Sequence, residues 1–173
     1  LIGRKESVVV LFGDDLVDNP GGLNAVQQLL KIHDETKDPF VLLEEVPKAE
    51  TKKYGIVDYD KQGKFDGIIK HFVEKPEPER APSDLGVMGK FILTPEIFKK
   101  LETAQPSVDG EIRLANAFID YIADGGVLRG KILEGKRFDT GDKLGFLKAT
   151  LHYALKKENE GVANALRDFL FKR

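Results

Sequence analysis

Short valine- and leucine-rich runs alternate along this chain with segments whose apolar residues recur at helical spacing, and that alternation constrains the fold more than any other feature. The first run, Ser7–Phe12, is continuous and apolar and stops at Gly13-Asp14-Asp15, as a strand buried on both faces does before a loop. After Gly21-Gly22, the spacing of Leu23, Val26, Leu29, Leu30 and His33 predicts a helix. Phe40–Leu43 reads as a second buried strand and the charged stretch Lys48–Lys53 as a loop. Tyr54–Tyr59 and Phe65–Glu74 are extended runs on either side of Lys61-Gln62-Gly63-Lys64, a hairpin signal. A hairpin means that the sheet is not purely parallel.

Lys75–Asp84 carries Pro76, Pro78 and Pro82 among charges and reads as an exposed loop. Leu85–Leu93 is a strand interrupted by Gly86 and Gly89. Thr94-Pro95-Glu96 opens a helix with proline at its first position, and Ile97, Phe98 and Leu101 form its buried stripe. Glu111–Ala123 reads as the next helix, entered at Gly110 with Asp109 as a candidate cap and with Ile112, Leu114, Ala115, Phe118, Ile119 and Ile122 inward. Val127–Leu133 is a strand, Arg137–Gly141 a loop, Asp142–Lys157 a helix and Glu160–Phe171 a last amphipathic helix. The fold class is α/β, a mixed sheet with flanking helices.

Composition excludes several functions. The net charge is -2 with both signs scattered, so no basic stripe marks a nucleic-acid partner. The apolar runs are far too short to span a bilayer, and no signal sequence precedes them, so a cytoplasmic protein without a membrane partner is expected. The absence of cysteine excludes disulfides and thiolate zinc sites. The chain opens on Leu1 and enters a strand pattern within a few residues, which reads as a fragment, a processed product or an incompletely represented chain.

Chemistry gathers at a few positions. Asp14-Asp15 and Asp139 sit where strands give way to loops, the edge at which open α/β sheets bind ligands. Carboxylates there suit a hard, oxygen-seeking cation such as Mg2+, although turn formation or helix capping uses the same residues. Glu74-Lys75-Pro76 follows a strand. The proline is expected to hold Lys75 extended, where Glu74 accepts from hydroxyls and Lys75 offers charge to a phosphate, or the two form a solvated charge pair. Gly55 and Gly89 interrupt strands and mark bulges or close backbone approach. His33, His71 and His152 lack a metal-ligand spacing and read as structural.

Taken in order, Phe12-Gly13-Asp14-Asp15-Leu16, Tyr54-Gly55-Ile56-Val57, Phe72-Val73-Glu74-Lys75-Pro76, Ala81-Pro82-Ser83, Gly89–Pro95, Gly110-Glu111-Ile112 and Gly135–Gly145 resemble bacterial UTP–glucose-1-phosphate uridylyltransferases. The resemblance runs from about Val8 to Tyr153 and covers the later part of that family's sequence. It implies a Rossmann-like nucleotidyltransferase fold that joins UTP and glucose 1-phosphate into UDP-glucose and pyrophosphate with Mg2+. By the same resemblance, Asp14 and Asp139 are the metal-binding carboxylates, Lys75 contacts the phosphate of glucose 1-phosphate, Glu74 reads sugar hydroxyls, and the backbone approaches the sugar at Gly55 and Gly89. Residues 1–157 form the sugar-phosphate and metal part and 158–173 a C-terminal helix.

Two departures stand out. Gly13 replaces the proline of the family's Leu-Pro-Asp-Asp, and Arg113-Leu114-Ala115-Asn116 replaces Gln-Leu-Thr-Asp after Gly110-Glu111-Ile112, which bears on the choice of sugar. The family's glycine-rich nucleotide loop has no counterpart among these residues, so the expectation is an N-terminally incomplete, homo-oligomeric chain that does not form UDP-glucose alone. A non-catalytic sugar-phosphate module and a transferase for another nucleotide or sugar are the alternatives.

Overall fold

Among the described residues, fourteen segments take regular structure: β1 (Val8–Leu11), β2 (Asp15–Asp18), α1 (Ala25–Thr36), β3 (Phe40–Glu45), a 3-10 helix (Lys48–Lys53), β4 (Gly55–Gln62), β5 (Phe65–Glu74), β6 (Leu85–Leu93), α2 (Pro95–Thr103), α3 (Leu114–Ala123), β7 (Arg129–Ile132), β8 (Lys136–Asp139), α4 (Lys143–Ala154) and α5 (Glu160–Phe171). The structure, a computed structural model, describes residues 5–62, 65–106, 110–156 and 159–172. The turn at Gly63-Lys64, the cap candidate Asp109 and the boundary after Lys157 lie outside them. The chain divides into two compact units, one running through Phe12 and then Asn19–Gly135, the other made of Gly13–Asp18 and Lys136–Arg173.

The first unit holds a six-stranded sheet in the order β1-β6-β3-β7-β5-β4. Among the described residues only β3 and β7 run parallel; the other pairs, including the β4–β5 hairpin, are antiparallel. β3 lies inside the sheet and is buried on both faces because side chains alternate along a strand. Val41 and Leu43 join a core with Phe72, Phe91, Ile97 and Phe118, which α2 and α3 help to close. Phe40 and Leu42, on the other face, are equally buried, and α1 packs against β3 and β6.

Local chemistry explains the helices. Asn24 caps α1 in a reciprocal box: its side chain accepts from the Gln27 amide at 2.9 Å and its own amide donates to Gln27 Oε1 at 3.0 Å. The stripe differs from the expected one, since Leu23 and Leu30 are exposed. Gln28 is buried instead, bonded to the Glu134 backbone through both ends of its amide. α2 begins at Pro95, as expected. α3 starts at Leu114, leaving Ile112 exposed ahead of it and Ile119 partly exposed.

Three local expectations are corrected. β1 is a half-buried edge strand paired only with β6 among the described residues, so its apolar run is covered less than its composition implies. Lys48–Lys53 winds into a 3-10 helix. Where loops are expected after Phe12 and at Arg137–Gly141, Asp15–Asp18 and Lys136–Asp139 pair as an antiparallel ribbon that forms the sheet of the second unit. There α4 packs against β8. α5 buries Ala163 but leaves Phe169, Leu170 and Phe171 exposed.

Candidate functional site

At the open end of the β4–β5 hairpin, Gly55 and Glu74 are register partners. A Cβ on Gly55 would come within 2.6 Å of the Phe72 ring and 3.2 Å of Glu74 Oε2, so the glycine makes room for both. Lys75 follows at once. Its amide donates to the Tyr54 carbonyl at 3.0 Å and its ammonium lies 4.0 Å from Glu74 Oε1. The expectation of an extended Lys75 is corrected: its φ is 48°, in the left-handed region. The hydrogen bond from its amide to the Tyr54 carbonyl, and Pro76 on its other side, buried at the hairpin exit, hold a conformation that an unconstrained lysine avoids. The result is an acceptor beside a half-exposed cation.

Gly89 is not part of that group. It is buried on β6 where β1 ends, and its carbonyl accepts from the Phe12 amide at 2.7 Å. Lys90 beside it, also buried, donates to the Phe12 carbonyl at 3.2 Å. Ala115 is buried in the core, and the Asn116 amide reaches the Gln105 carbonyl, so neither departs from its place on α3.

The second unit brings Asp14 and Asp139 together. Asp15 and Asp139 are register partners, and both the amide and the hydroxyl of Thr140 donate to the Asp14 carbonyl, at 2.7 and 2.9 Å. The position a Gly141 Cβ would take is 3.1 Å from Asp139 Oδ1 and 3.1 Å from Asp14 Oδ2. These two oxygens therefore converge on one small space that any larger residue would fill. The Gly141 amide donates to Asp139 Oδ1 at 3.0 Å. Asp142 caps α4 through the Gly145 amide at 2.9 Å. Among the described residues no group of three or more His, Cys, Asp or Glu side chains forms a metal site.

Sequence reasoning assigned no role to Arg137, which the fold places against this pair. Its Nε bonds Asp15 Oδ1, and its terminal nitrogen lies 3.3 Å from Asp139 Oδ2. Arg137 and Asp15 are both nearly covered. The signal available was alternation: Arg137 and Asp139 are two residues apart and share a strand face. A segment this short and this polar carries no strand signal from which that alternation could be read.

Further along the ribbon, Asp18 accepts from His152 Nε2 and Lys156 Nζ, each at 2.7 Å. These bonds, the one from His152 first, hold its carboxyl below the ordinary value. Burial, followed by the charge of Asp18, pushes the neighbouring Tyr153 hydroxyl up. His71 sits exposed beside Asp58, and His33 is buried against the Asp38 carbonyl. All three histidines are thus engaged with groups of the fold itself.

Residues 1–156 match the nucleotidyl transferase family. The chain belongs to the nucleotidyl transferase family. This nucleotidyl transferase is 40% identical over 152 residues to a UTP–glucose-1-phosphate uridylyltransferase of Staphylococcus epidermidis, a match covering 88% of the chain and 52% of the relative. It is 42% identical over 153 residues to the enzyme of that name from Staphylococcus haemolyticus, with the same coverage. Its fold is similar to that of a UDP-glucose pyrophosphorylase complexed with UDP-glucose, with a TM-score of 0.84 and 31% identity over 90% of this chain and 59% of the other. A UTP-bound UGPase from Acinetobacter baumannii gives 0.80 and 29%, over 96% and 56%. The nucleotidyl transferase chain described here spans about half the length of the curated relatives it matches. These findings bear out the mixed α/β nucleotidyltransferase fold and the resemblance carried by the motifs. No helix among its described residues is long and apolar enough to cross a membrane.

Proposed function

We propose that this chain supplies the sugar-phosphate and metal side of a UTP–glucose-1-phosphate uridylyltransferase, with residues 1–157 as that part and α5 as a separate terminal helix. The observation that carries the reading is the hairpin exit: an acceptor on Glu74 and a cation on Lys75, 4.0 Å apart, beside a Gly55 whose missing side chain leaves room for the Phe72 ring and the Glu74 carboxylate. A sugar phosphate needs that combination, hydroxyls to be read and a dianion to be offset.

In the proposed reaction a phosphate oxygen of glucose 1-phosphate attacks the α-phosphorus of UTP, the bond to the β-phosphate breaks, and pyrophosphate leaves. The nucleophile is already ionised, so no general base is required. Lys75 holds the attacking phosphate and offsets part of the repulsion between two anions. Glu74 orients the sugar, and Gly55 leaves room for its carboxylate.

The donor set of Asp14 and Asp139 fits Mg2+. Both are hard oxygen donors, their facing oxygens share the cradle that Gly141 leaves open, and two carboxylates leave positions for water and substrate phosphates. When bound there, the cation would draw charge from the phosphates. UTP and UDP-glucose are the remaining ligands of the reading, and the assembly is a homo-oligomer.

Calorimetric titration of the chain with glucose 1-phosphate tests the reading. Binding is expected, and Lys75→Ala should weaken it by about tenfold or more, the scale of one charged hydrogen bond to phosphate. Binding that Lys75→Ala and Glu74→Ala both leave intact would place the sugar phosphate elsewhere.

A further inference from the structure

We propose that Arg137 restricts Asp139 to a single oxygen toward the cation, and so makes the site prefer a small octahedral ion over calcium. The inference rests on the cation reading above and goes beyond it to the selectivity of that site.

The two oxygens of Asp139 have different surroundings. Oδ1 faces the space shared with Asp14 Oδ2, each 3.1 Å from the position of a Gly141 Cβ. It is oriented there by the Gly141 amide at 3.0 Å. Oδ2 has the Arg137 guanidinium at 3.3 Å. A carboxylate chelates one ion through both oxygens only if both are turned to it. Here a positively charged donor occupies the side of Oδ2, and rotating the carboxylate to present both oxygens would break that contact.

Arg137 is itself held. Its Nε bonds Asp15 Oδ1, and the two side chains are 9% and 7% exposed. A planar guanidinium fixed at Nε keeps its terminal nitrogens in place, which a flexible ammonium cannot do. Asp15 also offsets the charge of Arg137, so the guanidinium does not simply repel every cation. The distinction falls on geometry. Calcium accepts bidentate carboxylates at longer distances and high coordination number, whereas Mg2+ takes six single oxygens in a tight octahedron. A carboxylate locked to one oxygen favours the second.

Mn2+ serves as the probe, with free Mn2+ followed by electron paramagnetic resonance while Mg2+ or Ca2+ displaces it from the whole chain. The readout is the ratio of the two displacement constants. A general change in charge moves both ions together and cancels. In the wild type Mg2+ should displace at lower concentration relative to Ca2+. In Arg137→Lys, and in the double variant Asp15→Asn/Arg137→Met, the ratio should move toward Ca2+ by about tenfold, the lower range for losing a partner of a metal ligand. The double variant leaves no unpaired buried carboxylate, so it keeps the test open if Arg137→Met alone does not fold. A ratio unchanged in both folded variants overturns the role of Arg137 while the cation reading stands. Wild-type Mn2+ binding that is absent, or that Asp139→Asn leaves intact, overturns the cation reading and this proposal together.

Discussion

Gly55 and Glu74 face each other across the β4–β5 ladder, and the space left by the glycine is filled by the Phe72 ring and bordered by the Glu74 carboxylate. Phe72 belongs to the core and packs against Phe118 at a ring distance of 5.8 Å, so it has little room to retreat. Gly55→Ala should therefore cost about 1–3 kcal/mol through overpacking and weaken glucose 1-phosphate binding by displacing Glu74. Urea denaturation and calorimetry check the two effects. An unmoved midpoint with full binding would contradict the packing argument.

Lys75 carries backbone strain for a side chain used in binding. At φ 48° a non-glycine residue pays about 1–2 kcal/mol, partly recovered when glycine replaces it. Lys75→Gly should match or exceed the wild type in stability by up to about 1 kcal/mol, whereas Lys75→Ala retains the strain. Both should lose sugar-phosphate affinity. Stability that drops in Lys75→Gly would mean that the hydrogen bond from its amide to the Tyr54 carbonyl depends on the lysine side chain.

Gly145 lies in the first turn of α4 against β8. A Cβ there would overlap the Asp139 carbonyl oxygen, which is backbone and cannot swing aside. Gly145→Ala is expected to push α4 away from the ribbon, with a loss of at least about 1–3 kcal/mol and reduced Mn2+ binding through Asp139. Thermal melts and Mn2+ titration report each part. Gly161→Ala, at a position with open space, is the control.

Asp18 links acid sensitivity to the second unit. Its folded-state pKa is depressed below the ordinary 3.8 by the bonds from His152 and Lys156. The stability this adds is present above the ordinary value and is lost as pH falls through the folded value. Tyr153, held up by burial and by Asp18, stays protonated throughout that range. Wild type should lose more thermal stability than Asp18→Asn between pH 5 and pH 2, about the range over which such a carboxylate titrates. Parallel curves for the two proteins would show that the depressed pKa adds no stability.

The apolar side chains at the end of α5 are exposed among the described residues: Phe169 is 83% and Phe171 80% exposed. Leu144 and Phe146 on α4 are exposed as well. Contiguous apolar surface tends to find a partner. Association is expected across a sedimentation series at rising concentration, reduced in Phe169→Glu/Phe171→Glu. A monomer at every concentration would exclude the homo-oligomer proposed above.

The sequence by itself determined the elements whose signals are local. Leu85–Leu93 is a strand, Pro95 starts α2, Glu160–Phe171 is a helix, and the hairpin after Tyr54 makes the sheet mixed, each as its spacing, proline or apolar period dictates. The adjacency of Glu74, Lys75 and Pro76 was equally legible, because neighbours in the chain are neighbours in space. Tertiary structure alone decided what depends on distant partners. Asp15–Asp18 and Lys136–Asp139 are each four residues long, with charged residues at half the positions of the first and three of the four of the second, so neither has a strand signal. Each becomes a strand only by pairing with the other across more than a hundred residues of chain. That pairing covers Arg137 with Asp15, sets the guanidinium beside Asp139, and brings Asp14 to the same cradle. The Lys75 backbone likewise turns left-handed against its local preference because the hairpin exit fixes its amide on Tyr54. Local propensities, worth a fraction of a kcal/mol per residue, yield wherever a long-range bond and the exclusion of water from a charged pair outweigh them.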